Sequence, residues 1–180
     1  MKIYKNFNIQ KKFQKSAIAI GNFDGFHLGH QRVIKIGKAV AKKNNLKFGL
    51  LVFQPLPVMF FNKKLKNYRL DSLNQKIASS KKLGIDFLII KKFDKKFSKI
   101  SSDKFIESIL YKKLKTRFIF ISKNFRFGKN RTGNVKLLKK KEELYNFTTN
   151  TIKPLNKKGL TISSTLIRKN ILKGKITYAN

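Results

Sequence analysis

Cysteine is absent from all 180 residues, which excludes both a disulfide framework and any thiolate metal site. Long apolar runs are absent too. No stretch reaches the roughly 18 consecutive apolar residues of a membrane span, and the N-terminus, Met1-Lys2-Ile3-Tyr4-Lys5, lacks an apolar segment of the signal-peptide kind. A soluble cytoplasmic protein with no membrane partner is expected. Acidic residues are scarce: eight Asp and Glu stand against 43 Lys and Arg, a formal net charge of +35. Such an excess suits nucleic acid, an anionic membrane or a phosphate-rich ligand. The lysines, however, come in pairs along nearly every segment and form no stripe or tail. Lys, Asn, Ile and Phe are abundant together, as translation of an AT-rich genome produces. The charge is therefore read as composition, with no specific nucleic-acid partner and only polyanion binding at low salt. Histidine is scarce as well, with two in the chain, His27 and His30.

What is present has a regular rhythm. The length fits one domain able to bury a core. In the first 15 residues Ile3, Phe7, Ile9 and Phe13 are candidates for an edge strand or for packing. Ala17 to Asn22 reads as a strand, followed by a helix from Leu28 to Asn44 with Leu28, Val33, Ile34, Gly37, Val40 and Ala41 inward. Phe48 to Phe53 is a second strand, ended by Pro55 and Pro57. A helix over Leu73 to Leu83 is opened by the capping box Ser72-x-x-Gln75 and closed by Gly84. The pattern repeats: strand Phe87 to Ile90, helix Asp103 to Leu114, strand Phe118 to Ile121, helix Val135 to Leu144, and a fifth strand, Phe147 to Ile152. The last helix runs from Ser163 as N-cap to Leu172, with Gly174 beyond its end. Strands alternating with helices at this spacing predict an α/β fold with a doubly wound parallel sheet.

Both histidines lie at the first strand-to-helix junction, in Gly21-Asn22-Phe23-Asp24-Gly25-Phe26-His27-Leu28-Gly29-His30. Glycines there let backbone N–H groups approach a phosphate, and the helix N-terminus adds partial positive charge. Three-residue spacing puts both imidazoles on one helix face, where they can donate to phosphate oxygens.

These ten residues resemble the G-x-F-D-G-x-H-x-G-H signature of bacterial FAD synthetases, the FMN adenylyltransferase modules usually found in bifunctional riboflavin kinase/FAD synthetases. Two later segments resemble the same family: Asn124-Phe125-Arg126-Phe127-Gly128-Lys129-Asn130-Arg131-Thr132-Gly133, like its flavin-site segment, and Ile162-Ser163-Ser164-Thr165-Leu166-Ile167-Arg168, like its I-S-S-T-x-I-R segment. The similarity runs in register from about residue 16 to 176. It implies a Rossmann-like sheet of the H-x-G-H nucleotidyltransferase type, with ATP and FMN as substrates and FAD and pyrophosphate as products. His27, His30 and Arg168 are then catalytic. ATP would be bound by Gly21, Asn22, Phe23, Asp24, His27, Gly29, His30, Ser163, Ser164, Thr165 and Arg168, and FMN by Asn124, Phe125, Arg126, Phe127 and Arg131. Either Arg126 or Arg131 can hold the FMN phosphate through paired N–H donors. At least one of Phe125 and Phe127 is expected in the core. Mg²⁺ is expected on the ATP phosphates and water, since Asp24 is the sole carboxylate read near the site.

Two departures accompany the resemblance. The family commonly has F-x-P-H-P after the second strand, where this chain reads Phe53-Gln54-Pro55-Leu56-Pro57; Leu56 cannot donate to a phosphate, which implies weakened ATP handling or, at most, loss of activity. The family's kinase module should follow the last helix, whereas the chain stops at Asn180. A single adenylyltransferase domain over residues 1–180 is expected. A nucleotidyltransferase acting on another acceptor and a catalytically weakened nucleotide or flavin binder are the alternatives.

Overall fold

Ala17–Ile20 forms a strand with all four residues buried, alternating small and β-branched side chains. Burial on both faces is the environment of a central strand in a parallel sheet, and that is its place in the computed structural model, which describes residues 1–65, 68–157 and 159–175. Six strands are involved: β1 (Lys2–Tyr4), β2 (Ala17–Ile20), β3 (Phe48–Gln54), β4 (Phe87–Lys92), β5 (Phe118–Ser122) and β6 (Thr148–Ile152). They form one sheet in the order β1-β4-β3-β2-β5-β6, parallel throughout.

The period-2 alternation of the strands sorts the core into two layers. Ile18, Ile20, Leu51, Phe87, Ile89, Ile119 and Ile121 face one side. They pack there against Phe105, Ile106, Ile109 and Leu110 from the helix after β4 and Leu138 from the helix after β5. Ala17, Ala19, Leu50, Val52, Leu88 and Phe120 face the other. Their partners are Ile34 and Ala41 of α1 (Leu28–Lys43), with Leu73 and Ile77 of the helix after β3 against them. Helices on both faces of a parallel sheet make the doubly wound arrangement. Close approach needs glycine at two places: a Cβ on Gly37 of α1 would lie 2.2 Å from the Phe48 ring, and one on Gly49 of β3 2.3 Å from Phe87.

The remaining helices are α2 (Pro57–Phe61), α3 (Leu73–Lys82), α4 (Lys95–Ser98), α5 (Ser102–Lys104, continuing as a π-helix over Phe105–Lys113), α6 (Val135–Lys140), α7 (Glu142–Tyr145) and α8 (Ser164–Leu172). The Ser72–Gln75 capping box of α3 forms in both directions. Several expectations need correction. β2 stops at Ile20, because Gly21 and Asn22 already belong to the turn. The strand ending in Ile152 is the sixth, since Lys2–Tyr4 pairs with Phe87–Ile89 at the sheet edge. The helix over residues 135–144 breaks at Lys141, after which Glu142 turns its carboxylate to accept the Thr149 backbone N–H at 2.5 Å. Leu28 is exposed, unlike the other residues assigned to the inner side of α1. A short hairpin, β7 (Asn156–Lys157) with β8 (Leu160–Thr161), precedes α8. Residues 176–180, on which the expected chain end rests, lie outside the described residues. Among those described, no helix is long and apolar enough to cross a membrane.

Candidate active site

The strand order reverses at β2, whose neighbours β3 and β5 lead away in opposite directions. Open α/β sheets bind ligands outside the carboxyl ends of their strands at such a switch point. A cleft of about 1230 Å³ lies there, lined by the turn after β2, the loop after β5, α2 and the start of α8.

The turn after β2 is tightly wound: Phe23, Gly25 and Phe26 all have positive φ (44°, 83° and 38°). A buried lysine holds it. Lys76, from α3, donates to the carbonyls of Asn22 (3.2 Å) and Phe23 (2.5 Å), pairs with the Asp71 carboxylate at 2.9 Å, and stands 5.5 Å from the Phe26 ring centroid. Asp24 is buried in the same turn. It accepts the Leu70 N–H at 3.1 Å and pairs with the Arg168 guanidinium, while its own carbonyl accepts the Ser164 hydroxyl at 2.9 Å. Arg168 also donates to the Tyr68 carbonyl at 2.7 Å and lies 3.9 Å over the Tyr68 ring.

His27 is the N-cap of α1 and His30 lies in its first turn; their rings stack with centroids 3.7 Å apart and planes 24° from parallel. A Cβ on Gly29 would sit 3.1 Å from the His27 ring, so glycine makes room for the stack. Phe23 backs His30 at 5.0 Å. Burial lowers both imidazole pKa values: for His27 the nearby Asp24 charge opposes this in part, and for His30 the charges of His27 and Lys76 push it well below the usual range. In the free protein both rings are neutral at pH 7, each with one donor and one acceptor nitrogen. Across the cleft Ser163 caps α8, accepting the Leu166 N–H at 3.2 Å, and Ser163, Ser164 and Thr165 all border the cavity.

The other half of the cleft belongs to the loop after β5. Asn124 and Arg126 are exposed and Phe125 is half-buried, and all three line the cavity. Phe127 is the core member of the pair. It is 8% exposed, lies 5.3 Å from Phe105 and bridges to Gly133 through both backbone groups. It too lines the cavity, and its bridge to Gly133 holds the loop. Asn130 and Arg131 adopt left-handed backbone (φ 54° and 59°), which turns the loop back along the cleft. Leu56 is 1% exposed and is not among the cleft-lining residues; Pro57, Val58 and Phe61 of α2 are.

The three motifs thus converge on one cavity, although Ser163 is occupied as a cap and Asp24 as the partner of Arg168. Sequence reading missed Tyr68, Asp71 and Lys76. Asp71 is a second carboxylate beside the turn, correcting the expectation that Asp24 stands alone; burial, above all, raises its pKa. Lys76 carried a signal, since it falls between Leu73 and Ile77 on the inward stripe of a helix, where an unpaired lysine is not tolerated. Among the described residues no group of three or more His, Cys, Asp or Glu side chains is placed to hold a metal.

Comparison with known proteins agrees with the geometry. The chain is 43% identical over 173 residues to the bifunctional riboflavin kinase/FMN adenylyltransferase of Buchnera aphidicola subsp. Schizaphis graminum, covering 96% of this chain and 55% of that protein. It spans about half the length of the curated relatives it matches. Among solved structures, a macrolide-efflux protein from Streptococcus pneumoniae superposes with a TM-score of 0.84 at 21% identity, over 99% of this chain and 59% of that one. A pantoate-beta-alanine ligase from Francisella tularensis superposes with a TM-score of 0.60 at 18% identity, over 94% and 73%. At these identities the two likenesses establish a shared Rossmann-like fold. The FAD synthetase family model matches from Ile9 to Leu166, through the first two motifs that line the cleft and into the third, and the chain belongs to that family.

Proposed function

We propose that this chain transfers AMP from ATP to FMN, releasing pyrophosphate and forming FAD. The observation that carries the reading is the single cleft shared by a histidine-bearing turn and a cationic, aromatic loop. Its volume of about 1230 Å³ exceeds the roughly 300–1,000 Å³ usual for one small ligand and suits two substrates side by side.

The reaction needs little proton transfer. The FMN phosphate is ionised at neutral pH, so one of its oxygens attacks the α-phosphorus of ATP directly, and the bond from that phosphorus to the bridging oxygen of pyrophosphate breaks. Alignment and charge neutralisation are what the protein supplies. His27, His30 and the backbone N–H groups of the turn from Asn22 to Asp24 face the triphosphate, with Gly29 leaving space and the first turn of α8 (Ser163, Ser164, Thr165) opposite. The triphosphate's charge opposes the burial effect on the imidazoles and favours their donor forms. Arg168 reaches the phosphates from its seat beside Asp24. Phe125 offers a face to the isoalloxazine ring, Asn124 hydrogen-bonds the flavin, Phe127 braces the loop, and Arg126 or Arg131 holds the FMN phosphate. Asp24 is the one acid among the cleft-lining residues and is already paired with Arg168. The chain's own groups therefore make no Mg²⁺ cage, and the ion would be carried by ATP oxygens and water.

The test is chromatographic detection of FAD after incubating purified protein with FMN, ATP and Mg²⁺. The expected result is FAD formation that falls at least about 100-fold in a His27→Ala/His30→Ala variant, the loss expected for removing preorganised phosphate donors. No FAD above that control overturns the reading.

A further inference from the structure

The geometry points to Lys76 as a positioning residue for the nucleotide site, acting through the backbone of the turn rather than by touching substrate. The inference deepens the adenylyl-transfer reading and rests on it. A lysine ammonium has three donors, and all three are committed here. Two go to successive carbonyls, Asn22 at 3.2 Å and Phe23 at 2.5 Å, and the third to Asp71. The side chain is 3% exposed, reaches the turn from 53 and 54 residues away in sequence, and closes against the Phe26 ring. An isolated ammonium at this depth would be strongly disfavoured, so the two carbonyls and the carboxylate are what hold it there.

Gripping two successive carbonyls has a geometric consequence. The peptides after Asn22 and Phe23 are trans, and in a planar trans peptide the C=O and the following N–H point in opposite directions. Drawing the Asn22 and Phe23 oxygens back toward α3 therefore turns the N–H groups of Phe23 and Asp24 away from it, onto the side where Asn22, Phe23 and Asp24 line the cleft. Two adjacent N–H donors facing one cavity form the concavity that receives a phosphate oxygen. The positive φ of Phe23, 44°, is the conformation this grip maintains. Lys76 also places a fixed positive charge behind His30, where it and His27 act on that imidazole together with burial. Lys76 thus ties the orientation of the backbone donors and the proton state of His30 to a single buried group.

Two variants test this: Lys76→Met, which keeps the stem and removes charge and donors, and Lys76→Met/Asp71→Asn, which leaves no unpaired charge buried. ATP affinity by calorimetry, KM for FMN, the melting temperature, and the His30 titration followed by NMR without substrate are measured on each. Expected is a loss of ATP affinity of about tenfold or more, KM for FMN within about twofold of the parent, and a His30 titration midpoint that moves up. A lowered melting temperature with ATP affinity within about twofold of the parent, or an unmoved His30 midpoint, would show Lys76 to be structural only and overturn the inference. A parent protein that binds ATP but makes no FAD counts against FMN as acceptor; the ATP and His30 measurements then still decide the role of Lys76.

Discussion

His27 and His30 are held uncharged by burial in a molecule of net charge +35, and that has a measurable cost in acid. In the unfolded chain each imidazole takes up a proton near pH 6.5; in the folded state His30 does so only well below that. Between those two points the unfolded state binds more protons, so stability is intact above about pH 6.5 and declines as pH falls through the window. For one imidazole that stays neutral the loss reaches at most about 2 kcal/mol by pH 5. Thermal melts between pH 7.5 and 5 should show the decline, and a His30→Gln variant a shallower one; equal slopes would mean His30 is not the group responsible. Both histidines were legible because they sit within a few residues of their glycines. Lys76, Asp71 and Tyr68 were not, because each meets its partners across 46 to 144 residues of chain or belongs to the network that does. Leu56 shows the converse. Its place in a family motif suggested a lost phosphate ligand, yet its side chain is buried outside the cleft lining, and no spacing rule could have oriented it.

At the scale of elements, α1 illustrates two forces of opposite sign. Gly37 lies in the interior of α1, where alanine would be preferred by about 1 kcal/mol on propensity alone. A Cβ there would meet the Phe48 ring at 2.2, 2.7 and 3.1 Å, and that ring is fully buried against Phe120. Overpacking costs about 1–3 kcal/mol, and the 2.2 Å contact puts this site at the upper end, so packing wins. Gly37→Ala is expected to destabilise by about 1–2 kcal/mol net in urea unfolding; a stabilised variant would mean that the ring moves aside. The long helices and central strands were legible because hydrophobic periodicity accumulates over ten or more residues, as did the Ser72 capping box and the Ser163 cap. The four- and five-residue helices α4 and α2 and the two-residue strands of the hairpin are too short to establish a period. The π-helical turn of Phe105–Lys113 buries the same Phe105, Ile106, Ile109 and Leu110 that an α-helix would have predicted, which is why pattern alone could not distinguish it.

For the whole molecule, charge decides the response to salt. Five ion pairs occur among the described residues, and two of them, Lys76–Asp71 and Arg168–Asp24, are buried at the site. The three more exposed pairs contribute little, against self-repulsion among a 35-charge excess. Raising NaCl from about 0.01 to 0.15 M shortens the screening length from about 30 to 8 Å. The melting temperature should therefore rise over that range; a fall would mean that the surface pairs outweigh the repulsion.

The Asp24–Arg168 pair joins residues 144 apart, one near the start of the chain and one in the last described helix. During synthesis the turn, α1 and their immediate sheet partners emerge early, but the guanidinium that neutralises buried Asp24 does not exist until α8 has been made. Until then the nascent chain carries at the turn after β2 a carboxylate without its cation, and the cleft lacks one wall. Completion of the cleft is thereby postponed until α8 has emerged, so a ribosome-stalled chain shorter than residue 168 would hold most of its sheet and an incomplete form of the proposed nucleotide site.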